Sequence, residues 1–288
     1  MSQADGLSYK DYLQIDRLLS LQKPRSKPIQ HDETLFIITH QTFELWFKEV
    51  LNELGAVHKS LMKLNVREAI RLMNRVVTIE KLLIDQIHIL ESMRPEDFLK
   101  FRDVLSTSSA FQSLQFREIE FFSGLKDPRF LLPLNRVVPS DYKRLKKRFE
   151  KPSIWDAFTF VLMKHGFKVQ LSLAEQDMSE RERRKRKLEK ETKAVIDLFS
   201  SEKHPDIRDL SEVLLAHDEN FSLWRYHHIA VVERMIGMKI GSGAPHVTDV
   251  TGGLSSGVPY LKTTLSKRFY PALWKARTGF PIPSEEQD

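Results

Sequence analysis

One histidine, His40, stands in the middle of an apolar helical face of this 288-residue sequence. Phe36 precedes it by four residues and Phe43 follows it by three, so the three side chains share one side of a helix within 35–54. A polar imidazole among large aromatic side chains either has a hydrogen-bond partner inside the core or faces a ligand pocket. Buried polar groups are usually satisfied, so a core histidine is the commoner case, but both interpretations stay open here.

A second polar side chain on a partly apolar face is Arg102, which follows Phe98 by one helical turn. A guanidinium in such a position can bind a carboxylate through two parallel hydrogen bonds. A structural salt bridge explains the same pattern equally well. The spacing therefore predicts either an anchor for an anionic ligand or an ion pair at Arg102.

A third candidate is His228, which lies on an apolar stripe while its neighbour His227 points to another side of the helix. An inward histidine is usually a satisfied core residue. A neutral imidazole presented from a rigid helix is also what the iron of a b-type haem requires. With one inward histidine per helix and no His-x-x-x-His spacing, a zinc or di-iron centre is not predicted. The stripe consists of Phe221, Trp224, Val231 and Met235.

Helical periodicity dominates the elements that must position these side chains. We find no alternating pattern of strand length, so the predicted fold class is all-α. The glycine-rich loop 241–257 lacks the spacing of a Walker motif and follows no strand, so it does not predict a phosphate site. Helices are predicted over 9–22, 34–65, 66–93, 95–105, 111–125, 155–173, 187–199 and 209–238, with a proline-containing loop over 127–140.

Composition excludes several kinds of site and of compartment. The sequence has no cysteine, which excludes disulfides, thiolate metal sites, iron–sulfur clusters and haem held by a thiolate or through Cys-x-x-Cys-His. It has no apolar run of about 18 residues and no apolar core of a signal peptide. We therefore expect a cytoplasmic protein without a membrane partner. No linker separates two halves, so we expect one domain over 1–288, with an N-terminal arm over 1–28.

The net charge of +6 raises the question of a nucleic-acid partner. The basic residues concentrate in 143–151 and 180–193, and acidic residues alternate with them in the second segment. Glu182 and Arg186 are four residues apart, as are Glu189 and Lys193, which favours a solvated helix with ion pairs. A surface for nucleic acid is more often a stripe of one sign. We therefore expect no nucleic-acid partner.

Four long segments of the chain resemble the tryptophan 2,3-dioxygenase family. They follow one another in the family's order and spacing between Tyr9 and Gly237. The resemblance implies an α-helical homotetramer that uses ferrous haem b and O2 to open the indole ring of L-tryptophan. The product would be N-formylkynurenine, the first product of the kynurenine pathway of tryptophan degradation. The segments are YKDYLQIDRLLSLQ, HDETLFIITHQTFELWFKEVLNEL, FRDVLSTSSAFQSLQFREIEF and FSLWRYHHIAVVERMIG.

The same resemblance implies a role for each candidate side chain. His228 corresponds to the axial ligand of the haem iron, and His40 to the distal histidine that hydrogen-bonds the indole N–H. Arg102 corresponds to the arginine that holds the substrate carboxylate. Phe36 and Phe98 correspond to aromatic residues of the substrate pocket.

Two tyrosines of the N-terminal arm also match the family. Tyr9 and Tyr12 correspond to residues that reach into the substrate site of a neighbouring subunit. If that role holds here, the active site is complete only in the assembled protein.

The loop 241–257 departs from the family's pattern. The family's compact loop, Gly-Thr-Gly-Gly-Ser-Ser-Gly, carries a threonine that helps hold the substrate. Here the loop is longer, and Leu254 interrupts the motif. Thr251 keeps the local order of the motif and is our choice for that hydroxyl, whereas Ser242 keeps its distance from His228. The departure leaves an alternative open, a haem-dependent oxygenase that acts on a substituted tryptophan or another indole in a biosynthetic pathway and inserts either one or two oxygen atoms.

Overall fold

Helices make up all the regular structure of the described residues. The computed structural model describes residues 6–105, 113–131, 139–172, 175, 178–237 and 257–280. The predicted all-α class is confirmed for these residues. The α-helices are α1 (Tyr9–Leu13), α2 (Ile15–Leu19), α3 (His31–Met62), α4 (Val66–Glu91), α5 (Pro95–Arg102), α6 (Leu114–Ser123), α7 (Pro139–Glu150), α8 (Ile154–Lys164), α9 (Glu180–Phe199), α10 (Pro205–Ile236), α11 (Gly257–Thr264) and α12 (Pro271–Ala276).

Three long helices, α3, α4 and α10, carry the main core, and α4 packs along both of the others. Their facing sides hold leucine, valine, isoleucine and phenylalanine at helical spacing, which is why the sequence forms long amphipathic helices here. Burial of each such side chain contributes about 1.5–3 kcal/mol. The stripe predicted around His40 is part of this core, since Phe43, Phe47, Val50 and Leu54 are all buried.

Helix α10 is tied to the last described segment by a buried carboxylate, that of Asp218. It accepts hydrogen bonds from the backbone N–H groups of Phe269 and Tyr270, at 2.9 and 3.0 Å, and from Trp274 Nε1 at 2.9 Å. Because a buried carboxylate is tolerated only when such donors surround it, this segment is held firmly against α10.

A buried guanidinium fixes α10 two turns closer to His228. Arg225 donates to Glu120 Oε1 at 2.9 Å and to the backbone carbonyl of Lys267 at 3.0 Å. Glu120 also pairs with Arg117 of its own helix, α6. Helix α10 is therefore restrained on both sides of Trp224, the residue that precedes His228 by one turn.

The N-terminal arm is attached at its base and exposed along its helices. Glu33, in the first turn of α3, accepts hydrogen bonds from the backbone N–H groups of Arg25 and Ser26. Gln22 Nε2 donates to Gln41 Oε1 at 2.6 Å. Neither α1 nor α2 contains a buried residue, so the arm presents its apolar side chains to the surroundings of this chain.

Several predicted helix boundaries were wrong, each for a local reason. The predicted helix 9–22 is two short helices, because Gln14 adopts a left-handed conformation with φ of 53°. The predicted helix 155–173 ends at Lys164, because Gly166 shortly after it has a φ of +91°, which is not a helical angle. Helices α7, α11 and α12 were not predicted, because α7 carries mostly charged side chains and the other two are too short to show a clear apolar period.

The predicted helix over 187–199 was too short at its N-terminal, charged end. Helix α9 begins at Glu180 rather than at 187, because the Ser179 side chain and Glu182 form a reciprocal capping box. Glu182 therefore caps the helix instead of pairing with Arg186, which instead contacts Glu175 and Glu189. Lys193 likewise contacts Asp197 rather than Glu189. Both predicted pairs were therefore wrong, although the first two turns are solvent-exposed as expected. Among the described helices, none has the length and apolar content needed to cross a lipid bilayer.

Candidate functional site

The imidazole of His40 is held by its own helix. Its Nδ1 atom lies 2.7 Å from the backbone carbonyl oxygen of Phe36. Because a carbonyl only accepts, Nδ1 carries the proton and donates, and Nε2 of the neutral ring is left with a free lone pair. Burial lowers the pKa of His40, despite the opposing effect of this hydrogen bond. The side chain is therefore a neutral hydrogen-bond acceptor at physiological pH.

An aromatic cluster joins His40 to helix α5. The ring of Phe36 lies 4.0 Å from the His40 ring, and 5.9 and 5.7 Å from the rings of Phe98 and Phe101, centroid to centroid. Phe101 is fully buried, and the next residue, Arg102, is half-buried at the end of α5. The predicted pocket residues on α3 and α5 thus share one cluster, and Arg102 directly follows its member Phe101 in the chain.

The second histidine, His228, stacks on Trp224 one turn earlier in α10. Their ring centroids are 5.1 Å apart and their planes differ by only 6°. Burial lowers the pKa of His228 to about 4, and a positive charge on His40 would lower it in the same direction. Within the described part of the chain, no hydrogen bond to this imidazole is found. His228 is therefore a neutral imidazole whose orientation comes from stacking.

Aromatic contacts connect the two histidines across the core. His40 meets the edge of Phe43 at 6.0 Å, and Phe43 in turn meets Trp224 at 5.7 Å, edge to face. The Nε1 atom of Trp224 is buried and has no hydrogen-bond partner among the described residues. An unpartnered buried N–H is rare in proteins and calls for an acceptor. The sequence placed Trp224 on the stripe but gave no sign of this unsatisfied donor.

Another histidine forms a chain of hydrogen bonds that resembles a catalytic triad. Ser123 Oγ lies 2.8 Å from Nε2 of His217, whose Nδ1 lies 2.6 Å from Oε1 of Glu80. A serine, a base and an acid in this order suit nucleophilic catalysis. All three side chains are buried, with Ser123 and His217 at 0% exposure, so no substrate can reach the serine. The group instead joins α4, α6 and α10 inside the core.

The structure does not place the remaining predicted site residues next to the aromatic cluster around His40. Tyr9 and Tyr12 are 77% and 72% exposed, so the residues that the structure describes form no pocket around them. Thr251 and Ser242 lie outside the described residues, as does the loop over 241–256. The prediction for that hydroxyl therefore stays a prediction.

The described fold and site define an all-α protein with two neutral histidines on separate long helices, joined by aromatic side chains. The tryptophan 2,3-dioxygenase family model matches residues 1–156 and 159–280. The chain belongs to this family.

Named relatives cover nearly the whole chain. A tryptophan 2,3-dioxygenase of Myxococcus xanthus (strain DK1622) is 40% identical over 285 residues, which are 97% of this chain and 92% of the relative. That of Nocardioides sp. is 38% identical and covers 96% of each chain. That of Herpetosiphon aurantiacus is 39% identical over 96% of this chain and 99% of the relative.

The lowered pKa of His228 predicts a pH dependence of stability for the chain without ligands. Between pH 6.5 and about 4, unfolded chains protonate this imidazole and folded chains do not. The unfolding free energy should therefore fall as the pH falls through this window, by on the order of 3 kcal/mol from this group. Denaturant unfolding of the wild type and of His228→Gln at several pH values measures the difference. Parallel pH profiles would contradict the prediction.

Proposed function

We propose that the protein cleaves the C2–C3 bond of the indole of L-tryptophan with O2, using haem b, to give N-formylkynurenine. The observation that carries this proposal is the pair of neutral imidazoles, His40 and His228, in a chain of this family. When bound in its ferrous state, haem supplies the activation of O2, and both oxygen atoms end in the product. The side chains of the protein bind and orient the substrate and the cofactor.

The residues around His228 fit a haem. A histidine that binds haem iron must be a neutral imidazole with a free ring nitrogen, and His228 has both properties in the described chain. Its ring is oriented by Trp224 rather than by a competing hydrogen bond. The unpartnered N–H of Trp224 also offers a donor beside it, which suits the carboxylate or water that accompanies a bound cofactor. We therefore assign the iron ligand to His228.

His40 is proposed to accept the hydrogen bond of the indole N–H. Because Phe36 fixes the proton on Nδ1, the Nε2 lone pair is available without any change of tautomer. The acceptor orients the indole and can take its proton as attack on the ring proceeds. The aromatic rings of Phe36 and Phe98 provide an apolar surface for a planar ligand.

Arg102 is proposed to hold the substrate carboxylate. It lies at the end of α5, beside the phenylalanines that would contact the indole. A bidentate guanidinium–carboxylate pair fixes both the position and the direction of an amino acid. The anchor and the His40 acceptor together fix the two ends of tryptophan. Nothing in the described structure or in the named relatives favours a substituted indole as the substrate instead.

The proposed reaction is tested by the fate of labelled oxygen. Purified protein with its haem is supplied with L-tryptophan, a reductant and ¹⁸O2, and the product is analysed by mass spectrometry. We expect N-formylkynurenine that carries both labelled atoms. A product with a single labelled atom would support the oxygenase that inserts one atom, and no product from L-tryptophan would favour another indole.

Replacing His40 should slow the reaction without removing the haem. A hydrogen bond to a neutral partner contributes about 0.5–1.5 kcal/mol, so His40→Ala should lower kcat/KM by roughly 2- to 13-fold. The loss should vanish for N1-methyl-tryptophan, which has no indole N–H to donate. An equal loss for both substrates would show that His40 acts on something other than this hydrogen bond.

Removing Arg102 should have a larger effect on an amino-acid substrate. Truncating one partner of a buried charge pair costs about 2–5 kcal/mol, and Arg102→Ala should lose that much in kcat/KM for L-tryptophan. Arg94→Ala is the matched control, since Arg94 is an exposed arginine at the other end of the same helix. Equal kinetics for the two variants would place the anchor elsewhere.

We propose that the chain assembles as a homotetramer in which Tyr9 and Tyr12 reach a neighbouring subunit, and the exposure of the arm supports such a contact. The described part of the chain leaves its apolar side chains uncovered, although its base is fixed to α3. Deleting the residues before Ile15 should raise KM for tryptophan and leave the haem content unchanged. Sedimentation of the wild type tests the assembly, and a fully active monomer would contradict the proposal.

For the substrate-facing hydroxyl we keep Thr251 over Ser242. The two variants Thr251→Ala and Ser242→Ala are matched, because each removes one hydroxyl from the same loop. A larger rise in KM for Thr251→Ala would support the choice, and a larger rise for Ser242→Ala would reverse it.

A further inference from the structure

Three metal-binding side chains from two helices meet at the surface, outside the site described above. His88 and Glu91 lie in the last turn of α4, and His227 lies on α10. One ligand atom from each lies within 4.8 Å of the others. His88 Nδ1 is 3.0 Å from Glu91 Oε2, and the two imidazole rings meet edge to face at 5.2 Å. One ion can therefore reach a donor atom on all three side chains.

We propose that His88, Glu91 and His227 bind a divalent transition-metal ion such as Zn²⁺. Two imidazoles and one carboxylate are a donor set that zinc accepts, at distances of about 2.0–2.2 Å, with a fourth position open to water. Ligand atoms around such an ion are roughly 3.3–3.5 Å apart, so a modest movement closes the site. The His88 side chain is 50% exposed and is free to make that movement.

The position on α4 also favours a cation. The backbone carbonyl groups at the C-terminus of a helix carry partial negative charge, which attracts positive ions. Both α4 ligands lie in that last turn, three residues apart and on the same face. The His227 ring is in addition flanked by Tyr226, edge to face at 5.8 Å, which restricts its orientation. The site thus combines suitable donors, favourable charge and a partly ordered ligand.

The ion would link α4 to α10 one residue before His228. Because consecutive residues of a helix point about 100° apart, His227 can hold this ion on the outside while His228 faces the core. The ion would thus restrain α10 from the outer surface, next to the stacking contact made by Trp224 inside. Sequence spacing could not show this site, since His227 joins the α4 pair only through the packing of two helices distant in the chain.

Isothermal titration tests the proposal on the full chain with its haem, after treatment with a chelator. Zinc chloride should bind at one site per chain. Loss of a residue that only supports a metal ligand already weakens binding about 10–100-fold, so His227→Ala and His88→Ala should weaken it by at least tenfold. The control is His31→Ala, which removes a fully exposed histidine near Asp32 on α3. An unchanged affinity in His227→Ala would overturn the proposal.

Three further measurements distinguish this site from zinc binding elsewhere on the protein. Zinc should raise the Tm of the wild type and of His31→Ala by a few degrees, and should not raise that of His227→Ala. His165 and His204 form another close pair, with ring centroids 5.1 Å apart. An affinity loss in His204→Ala instead of His227→Ala would place the zinc site at the His165–His204 pair and contradict the proposal.

Anomalous scattering at the zinc edge from soaked crystals should place the ion between α4 and α10, and a peak anywhere else would contradict the proposal.

Discussion

The stacking of His228 on Trp224 is the contact on which the rest of the site depends. It presents an imidazole in one orientation without using either ring nitrogen in a hydrogen bond to the described chain. Burial keeps that imidazole neutral down to a pH of about 4. The stack is useful only because α10 cannot rotate, and Asp218 and Arg225 prevent that rotation by tying the helix to the segment around Phe269.

His40 solves the corresponding problem on α3 by a different route. Its proton is fixed by the Phe36 carbonyl of its own helix, so the tautomer follows from local geometry rather than from long-range packing. The position of α3 relative to α10 is set by α4, which packs along both. Gln86 of α4 donates to the backbone carbonyl of Thr39 at 2.8 Å, one residue before His40. Helix α4 thus sets the relative position of the two helices that carry His40 and His228.

The long helices and their buried faces could be predicted from the sequence, because apolar residues recur along them at helical spacing. The faces that carry His40 and His228 are of this kind. The pattern could not show features that depend on one side chain meeting another across the fold. The three donors to Asp218, the unpartnered N–H of Trp224 and the approach of His227 to His88 all belong to that class. The resemblance to a family supplied roles that periodicity left undecided.

Local backbone chemistry accounts for most of the wrong boundaries. Gln14 in a left-handed conformation divides the first predicted helix, and the Ser179 capping box starts α9 earlier than its apolar residues suggest. Neither feature alters the hydrophobic pattern on which the prediction relied. The core and the candidate site were unaffected, because both lie on helices with strong apolar stripes.

The most direct test of the assignment of the iron ligand is the recovery of His228→Gly by free imidazole. The haem content and absorption spectrum of the purified variant are measured before and after imidazole is added, with His40→Gly as the matched variant. We predict that His228→Gly loses haem or its normal spectrum and that imidazole restores it, while His40→Gly keeps both. Normal haem content and spectrum in His228→Gly, or restoration by imidazole only in His40→Gly, would contradict the account.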